Sequence, residues 1–235
     1  MRSFASAVVV VALVVVACGD DATDGGTTTS GGPSTATYSS ELQKGIATFY
    51  DADGSGNCSF DKSPGDMRVV ALNFPEYAES AMCGACLKVT GPKGSVTVRV
   101  TDSCPPCAKN HLDLSKEAFL EIADEVQGRV EITYQTVSCD VSGPVAYHFK
   151  DGSSKWWTAI QVRNHRVPVV KMEYQKGGTW TEMKRADYNY FLEESGVGDT
   201  PSGLRVRITS PDGKTLEDVL PKIEENATIA GAGNF

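Results

Sequence analysis

Residues 86–104 read CLKVTGPKGSVTVRVTDSC, and this stretch decides the fold of the first half of the chain. Apolar and polar residues alternate on both sides of Gly91-Pro92-Lys93-Gly94, a sequence rich in turn-forming residues. Alternation with a period of two is typical of a strand with one buried face. The stretch therefore predicts a β-hairpin whose second strand ends at Asp102. Its alternating apolar residues are Leu87, Val89, Val96, Val98 and Val100.

Two carboxylates lie at the end of this hairpin and shortly after it. Asp102 ends the second strand, and Asp113 lies just before a short helix that is predicted to begin after the N-cap residue Ser115. Both carboxylates could simply cap or terminate these elements, because Asp is common at such positions. Inverting glycosidases also use a pair of carboxylates, at a separation of about 6.5–9.5 Å. The sequence spacing leaves both interpretations open.

The first 18 residues have the composition of a signal peptide. Arg2 precedes an apolar run from Ala5 to Ala17, and Cys18 follows directly. A small residue before a cysteine at this place resembles a bacterial lipobox, so we expect a lipid on Cys18; ordinary signal cleavage with a spare cysteine is the alternative. Residues 19–40 are rich in Thr, Ser, Gly and Pro, and we interpret them as a flexible linker. Together these features predict a secreted protein anchored at the cell envelope.

The remaining six cysteines all lie between residues 58 and 139. An even number of cysteines in an exported chain predicts disulfides, and six cysteines allow fifteen pairings. The alternative is a zinc ribbon, because the spacing Cys-x-x-Cys occurs twice. Export favours disulfides, so we expect neither a bound metal nor a cofactor. The six cysteines are Cys58, Cys83, Cys86, Cys104, Cys107 and Cys139.

The second half of the chain has repeated alternation and lacks cysteine. Turn signals occur at Lys176-Gly177-Gly178 and Pro211-Asp212-Gly213. Several short strands at this spacing predict a β-sandwich of about 90 residues. The change in cysteine content places a boundary near Ser142-Gly143-Pro144, between a first domain over residues 41–141 and a second over residues 145–235.

Two details of this second domain are testable against the structure. Val170, Met172 and Tyr174 are expected to share one face of a strand, because they alternate with polar residues. Trp180 is expected to lie in the core of the sandwich.

Three further aromatic residues are candidates for an exposed binding surface: Trp156, Trp157 and Tyr188. Adjacent residues on a regular strand point to opposite faces, so both tryptophans can face solvent only if a turn reorients one of them. The alternative is one tryptophan in the core and one at the surface. Gly152-Ser153-Ser154, just upstream, makes a turn plausible. Exposed rings of this kind can stack on the apolar faces of sugars.

The distribution of charge argues against nucleic acid as a partner. The formal net charge is −8, and residues 41–140 carry nine basic and 15 acidic side chains, whereas residues 141–235 carry 12 of each. A nucleic-acid-binding surface is expected to be basic. The three histidines, His111, His148 and His165, are scattered and do not suggest a metal site.

Seven segments of the chain resemble expansins, and the likeness extends over residues 40–230. In the first domain these are GIATFY (45–50), MCGAC (82–86), VTD (100–102) and LDLS (112–115). In the second domain they are GSSKWWTAIQVRNH (152–165), KMEY (171–174) and DYN (187–189). The long run in the second domain is the most specific of these.

The resemblance implies an all-β fold. Its first domain would be a six-stranded double-psi β-barrel related to family 45 glycosidases, followed by an immunoglobulin-like β-sandwich resembling a family 63 carbohydrate-binding module. The family disrupts noncovalent contacts between polysaccharides without detectable hydrolysis. The implied partner is cellulose, xyloglucan or a related plant wall glucan, with peptidoglycan as a further candidate. We expect a monomer that contacts a membrane only through its lipid.

The resemblance also implies roles for individual residues. Asp113 would be the essential acid, and Thr48 and Asp102 would line the groove around it. The cellulose platform would consist of Trp156, Trp157 and Tyr188, with Lys150 as a further wall-binding residue.

The usual pairing in the family implies the disulfides Cys58–Cys83 and Cys86–Cys139, which leaves Cys104 to pair with Cys107. In two respects the chain departs from the family. Several bacterial members carry a groove tyrosine where this chain has Cys104, so a bridge there would reshape the rim. Some bacterial relatives are basic, whereas this chain is acidic, which predicts weaker adsorption driven by charge.

Three other functions remain open from the sequence. An inverting endo-β-glucanase would use Asp113 as acid and Asp51 as base. An envelope lytic transglycosylase would use the same barrel to cleave peptidoglycan with one Asp. A pure carbohydrate-binding protein would use the sandwich alone.

Overall fold

The computed structural model describes residues 40–63 and 65–235, and its first half forms a closed six-stranded β-barrel. The strands are arranged around the barrel in the order β1-β5-β2-β4-β3-β6. The pairs β1–β5 and β2–β4 are parallel, and the other pairs are antiparallel. The strands are β1 Gln43–Tyr50, β2 Val69–Leu72, β3 Cys86–Thr90, β4 Ser95–Ser103, β5 His111–Ser115 and β6 Val130–Val137.

The hairpin predicted from residues 86–104 is confirmed as β3 and β4. The four residues between these strands close a turn, in which the amide of Gly91 donates to the carbonyl of Gly94 at 2.9 Å. The alternating apolar side chains all point into the barrel core and are at most 4% exposed. Burial of one face therefore fixes the register of this hairpin.

Two short α-helices accompany the barrel, α1 Phe74–Tyr77 and α2 Lys116–Ile122, and a 3₁₀ turn covers Glu125–Gln127. The predicted cap of α2 is confirmed, because the hydroxyl of Ser115 accepts a hydrogen bond from the Ala118 amide at 3.2 Å. Phe119 and Ile122 on this helix are fully buried in the barrel core. Since Ser115 also ends β5, the helix cap holds the end of the strand that carries Asp113.

Residues 145–235 form two sheets that enclose a second core, as expected for a β-sandwich. One sheet has the order β10-β9-β13-β14 and the other β11-β12-β8-β7-β15. The strands are β7 Ala146–Phe149, β8 Thr158–Arg163, β9 Lys171–Lys176, β10 Thr179–Glu182, β11 Lys184–Arg185, β12 Phe191–Glu193, β13 Leu204–Thr209, β14 Thr215–Leu220 and β15 Thr228–Ala230. The predicted all-β fold, a double-psi β-barrel followed by a sandwich, is confirmed.

The prediction that Trp180 lies in the core is wrong. It pairs with Gln175 across the β9–β10 hairpin, in register with the outward-facing residues of β9. Its ring is partly exposed and lies under the guanidinium of Arg207, 4.5 Å from the ring centroid. Arg207 also donates to Glu173, so an ion pair on the outer face holds the cation over the ring.

The predicted face shared by Val170, Met172 and Tyr174 is only partly correct. Met172 and Tyr174 are buried in the sandwich core, but Val170 is 41% exposed, and its neighbour Val169 is buried instead. The strand begins at Lys171, so strict alternation does not extend to the two preceding valines.

The three disulfides join the pairs implied by the resemblance: Cys58–Cys83, Cys86–Cys139 and Cys104–Cys107. The cysteines with zinc-ribbon spacing are therefore divided among three bridges and do not form one cluster. The two longer bridges span sequence separations of 25 and 53 residues. Cross-links of this length restrict the unfolded chain and stabilise the barrel.

The predicted signal peptide, the lipidated Cys18 and residues 19–39 of the linker lie outside the described residues. Within the residues that the structure does describe, no helix has the length and apolar character needed to cross a membrane.

Candidate functional site

Four side chains form a row across neighbouring strands of the barrel. Thr48 on β1 is in register with Asp113 on β5, Asp113 is in register with Ala71 on β2, and Ala71 is in register with Asp102 on β4. The two carboxylates are therefore two strand spacings apart, about 10 Å between backbones. The small side chain of Ala71 lies between them. The fold thus brings together all three residues predicted for the groove, although 65 positions separate Thr48 from Asp113.

Asp113 is held by a short chain of hydrogen bonds. The hydroxyl of Thr48 donates to Asp113 Oδ1 at 2.6 Å, and His111 Nε2 lies 2.8 Å from the same hydroxyl. Since the hydroxyl donates to the carboxylate, the imidazole nitrogen must donate to it. Burial and the charge of Arg129 lower the pKa of His111 below its ordinary value, whereas Asp113 opposes them. A neutral imidazole can still supply this donor.

Asp102 is fixed by backbone amides. Its Oδ1 accepts from the amide of Asn57 at 2.7 Å and from the amide of Ser103 at 2.8 Å. Gly56 packs so closely that a Cβ there would lie 2.4 Å from the carboxyl carbon. Its φ of 155° also favours glycine. These contacts stabilise Asp102 as a hydrogen-bond acceptor that fastens the loop around Asn57 to the barrel.

Tyr50 is a site residue that the sequence analysis did not single out. Its hydroxyl is buried, and its hydrogen-bonding neighbour is the equally buried hydroxyl of Thr101. Burial raises the pKa of Tyr50, and the charges of Asp102 and Asp113 raise it further. The phenol therefore stays protonated and can donate a hydrogen bond. The spacing of two from Thr48 on β1 could have indicated that both side chains face the same way.

The Cys104–Cys107 bridge lies directly beside Asp113. The two sulfur atoms and one Asp113 carboxylate oxygen all lie within 4.8 Å of one another. Because the sulfurs are bonded to each other, they are not thiolates and do not present metal ligands. The bridge closes the beginning of the loop that connects Asp102 on β4 to Asp113 on β5, and so forms a fixed rim at this side of the row.

The tandem tryptophans of the sandwich lie in a tight turn before β8. The amide of Ser154 donates to the carbonyl of Trp157 at 2.7 Å, which closes a turn with Lys155 and Trp156 at its tip. Trp156 is 72% exposed, and Lys155 Nζ lies 4.8 Å from its ring centroid. Trp157 is partly buried. A turn is present, as expected, but it contains the tryptophans rather than preceding them.

Tyr188 and Lys150 are both close to Tyr190, a second residue that the sequence analysis missed. The rings of Tyr188 and Tyr190 are 5.9 Å apart, and Lys150 Nζ lies 5.8 Å from the Tyr190 centroid. Tyr190 is only 5% exposed, so it is the buried ring beside which Tyr188 and Lys150 lie. Tyr188 and the tryptophans lie near opposite ends of β8, a strand whose six residues span about 20 Å.

Hydrogen bonds connect the barrel row to the loop that carries Tyr188. The side chain of Asn57 donates to the carbonyl of Asp187 at 3.3 Å, and the hydroxyl of Tyr77 donates to the same carbonyl at 2.8 Å. The backbone amide of Asn57 also donates to Asp102. This one residue therefore contacts both the Asp102 carboxylate and the loop that carries Tyr188. The groove and the aromatic surface therefore belong to one hydrogen-bonded structure.

A second set of contacts converges on Cys58. Its carbonyl accepts from the side chains of Gln161 and Asn189, at 2.9 and 3.1 Å. Both donors belong to the sandwich, and both are buried. The disulfide Cys58–Cys83 thus anchors the barrel segment to which the sandwich is hydrogen bonded.

Comparison with known proteins gives the family. A family model described as lytic transglycolase, DPBB_1, matches residues 43–134, which form most of the barrel. Expansin-YoaJ of Bacillus subtilis is 40% identical over 202 residues, covering 83% of this chain and 85% of the relative. A match of that length must include the sandwich. The chain belongs to the expansin family.

Two other proteins support this assignment. Expansin-like protein 5 of Dictyostelium discoideum is 35% identical to this expansin over 204 residues, covering 81% of this chain and 84% of the relative. The crystal structure of a mutant Clavibacter michiganensis expansin in complex with cellohexaose aligns with a TM-score of 0.78 at 36% identity. That alignment covers 83% of this chain and 98% of the Clavibacter protein.

Proposed function

We propose that this expansin loosens plant-type cell walls without hydrolysis, by binding cellulose or a related glucan and disrupting its noncovalent contacts. The observation that carries the proposal is the coexistence of a hydrogen-bonded acid, Asp113, with an exposed ring, Trp156, and two partly exposed rings, Trp157 and Tyr188, on a connected sandwich. The Clavibacter expansin that resembles this chain through barrel and sandwich was crystallised with cellohexaose. A linear glucan is therefore the polymer to which we assign the surface.

Each part of the surface has a distinct task in this proposal. Asp113 engages a sugar hydroxyl as acid or hydrogen-bond partner, with Thr48 positioning its carboxylate and Asp102 fixing the neighbouring loop. The protonated phenol of Tyr50 lies near both acids but is buried, so it does not contact the polymer. The rings of Trp156, Trp157 and Tyr188 stack on sugar faces, and Lys150 contacts the polymer beside them. A glucan strand that is held at the groove and at the rings is strained. This strain then weakens its contacts with neighbouring glucan strands.

Asp51 is the residue that would act as base in an inverting endoglucanase. Asp51 follows Tyr50, which is in register with Ser115, so it lies three positions beyond the Thr48–Asp113 pair. Along a strand this corresponds to about 10 Å. The carboxylate is exposed and acts electrostatically on Lys116 at the start of α2. About 10 Å is near the carboxylate separation of inverting glycosidases, so it is the expansin relatives that favour loosening over hydrolysis.

The family model that matches the barrel is described as lytic transglycolase. This description suggests a second activity, cleavage of peptidoglycan. The expansin relatives match through the sandwich as well as the barrel, and this favours loosening over that activity. A protein that only binds carbohydrate would leave the Asp113 network without a role.

Location completes the proposal. We assign residues 1–18 to a signal peptide that directs secretion, and Cys18 to a lipid anchor at the cell envelope. Residues 19–40 would tether the barrel, residues 41–141, to that anchor. Residues 145–235 would act as a carbohydrate-binding module of family 63.

The test compares wild type with Asp113→Asn in two assays. Creep of a clamped plant wall strip measures loosening, and reducing-sugar release from amorphous cellulose measures hydrolysis. We expect wild-type protein to extend the strip without sugar release. Asp113→Asn should abolish extension, because the carboxylate charge is lost while the shape of the side chain is kept. Cellulose binding should remain within about twofold, since the stacking rings are unchanged.

Other outcomes would point to the other functions. Sugar release that disappears in Asp51→Asn would identify an endoglucanase. Muropeptide release from purified sacculi would identify a transglycosylase. Full creep activity in Asp113→Asn would leave the protein as a carbohydrate binder only.

A further inference from the structure

A cavity of about 260 Å³ lies at the junction between the barrel and the sandwich. The barrel contributes Phe60, Gly84 and Arg99 to its wall, and the sandwich contributes Arg163, Asn164 and His165. None of these residues belongs to the row around Asp113 or to the aromatic surface. The cavity is large enough for a small organic molecule and is separate from the proposed glucan surface.

Arg99 enters this cavity without a hydrogen-bonded partner for its guanidinium. Its planar group lies over the ring of Phe60, 5.4 Å from the centroid, and no acceptor within hydrogen-bond distance occurs in the described part of the chain. Burial lowers the pKa of Arg99, with only the more distant Asp66 opposing it. A half-buried cation with no bonded anion is costly, because desolvation is not offset.

His165 closes the same part of the cavity. It is 5% exposed, and its Nδ1 is fully buried and does not open into the cavity. A Cβ at Gly84 would lie 2.6 Å from Cε1 and Nε2 of the imidazole, so glycine allows the ring to reach the barrel. Burial lowers the pKa of His165 to about 4; the charges of Arg185 and Arg99 act in the same direction, whereas a hydrogen bond with the backbone of Val167 opposes them. The ring is therefore neutral near pH 7.

The surrounding charges leave the cavity positive. The cavity wall also includes the carboxylate of Asp61, which neutralises Arg163 at 2.7 Å, so Arg99 is the uncompensated charge of the wall. Behind His165 lies Arg185, which donates to the carbonyls of Val169 and Ser80 rather than to a carboxylate. A single negative charge in the cavity would balance Arg99 and would also be attracted by Arg185.

We infer that this junction cavity binds a small carboxylate, which accepts hydrogen bonds from the Arg99 guanidinium and lies against the imidazole of His165. Arginine and carboxylate match in geometry as well as charge, because the planar fork of donors faces two oxygens. The carboxylate belongs either to a free organic acid or to the uronate group of an acidic sugar. Because Arg99 comes from the barrel and His165 from the sandwich, the ligand ties the two together.

The experiment uses the full chain with three probes: sodium acetate, sodium glucuronate and a xylo-oligosaccharide with a glucuronate branch. Ionic strength is held constant with sodium chloride. The imidazole resonances of His165 are followed by NMR, and the thermal unfolding midpoint is measured in parallel. We expect a saturable shift of the His165 resonances at millimolar probe and a higher midpoint. Affinity should rise as the pH falls from 7 toward 5, because a bound anion favours the protonated ring and raises its pKa.

Two variants separate the site from general charge effects. Arg99→Met should weaken binding at least about tenfold, since it removes a charge-assisted hydrogen bond. Arg205→Met is the matched control. Arg205 is exposed on β13, in the sheet of the sandwich that does not line the cavity, and pairs with Glu217. It should leave binding unchanged.

The outcomes decide both the site and its source. Binding of acetate and glucuronate, but not of the branched oligosaccharide, assigns the cavity to free acids; binding of the oligosaccharide assigns it to an acidic polysaccharide. Absence of any saturable His165 shift in the wild-type protein overturns the inference, and so does undiminished binding in Arg99→Met. The wild-type spectra keep the test valid even if that variant unfolds. Creep activity is not among the readouts, so failure here leaves the loosening proposal unaffected.

Discussion

The groove of the barrel and the aromatic surface of the sandwich are built by different means. In the groove, polar side chains are fixed by hydrogen bonds, Thr48 to Asp113 and two amides to Asp102. All three disulfides belong to the barrel, and one of them lies beside Asp113. On the sandwich, Trp156 projects from a tight turn and is mostly exposed, with no covalent cross-link in residues 145–235.

The difference fits the task proposed for each surface. A hydrogen bond weakens steeply when its geometry is poor, so a polar site needs fixed partners. Stacking on a sugar ring tolerates sliding and needs only an exposed apolar face. The barrel site is therefore rigid, and the sandwich surface is exposed. Since the two are joined through Asn57 and Cys58, the open question is how independently they behave.

The largest expected effect comes from removing the Cys86–Cys139 bridge. Cys86→Ala with Cys139→Ala should destabilise the barrel by about 4 kcal/mol, because the bridge spans 53 residues of the chain. All three tryptophans lie in the sandwich, so their fluorescence reports its unfolding alone. We expect urea unfolding followed by far-UV circular dichroism to gain an early transition, while the tryptophan transition keeps its midpoint.

The matched control is Cys104→Ala with Cys107→Ala, which opens a bridge between residues only three positions apart. Chain entropy predicts a smaller loss of stability for this pair. A tryptophan midpoint that falls together with the barrel transition would show that the two halves unfold as one unit. The barrel and the sandwich would then not differ in stability.

An intermediate effect is expected on the aromatic surface. Trp156→Ala, Trp157→Ala and Tyr188→Ala should each weaken cellulose binding by ~1–3 kcal/mol, the range known for stacking of bases on aromatic rings. Depletion assays with crystalline cellulose measure this directly. Trp180→Ala serves as the control, because its ring lies on the outer face of the other sheet under Arg207.

The control also tests the assignment of the surface. Equal losses for Trp180→Ala and Trp156→Ala would mean that both sheets bind polymer. Unchanged binding in all three surface variants would remove the sandwich from the proposed mechanism.

The smallest effect should come from the connection between the two surfaces. Asn57→Ala removes two side-chain hydrogen bonds, to the carbonyl of Asp187 and to the hydroxyl of Tyr77, but keeps the backbone amide that donates to Asp102. Each such hydrogen bond contributes about 0.5–1.5 kcal/mol. Cellulose binding should change little, whereas the creep rate should fall if loosening needs the groove and the rings held together. An unaltered creep rate would show that the two surfaces act independently.

Much of the fold could be predicted from the sequence because its signals are local. Alternation in residues 86–104 predicted the hairpin, and Ser115 predicted the start of α2. The disulfide pairs came from the family resemblance, since spacing alone allowed fifteen pairings. Trp180 was misplaced because the ion pair that holds Arg207 over its ring joins different strands.

Three residues of the candidate site were named from the sequence, but their connections were not. Thr48, Asp102 and Asp113 were named from motifs, yet Tyr50 and Tyr190 were not, since each acts through neighbours distant in sequence. The positive cavity around Arg99 and His165 had no sequence signal, because it depends on how the barrel and sandwich meet.

The sequence by itself determined the all-β class, the cysteine-rich first half and the aromatic motif, since periodicity and composition act over neighbouring residues. The tertiary structure alone decided which strands pair, and therefore that Thr48, Asp113, Ala71 and Asp102 share one row. It also decided which charges lose their water at the junction. Strand pairing and desolvation depend on contacts between residues that are far apart in the chain, and local patterns do not encode them.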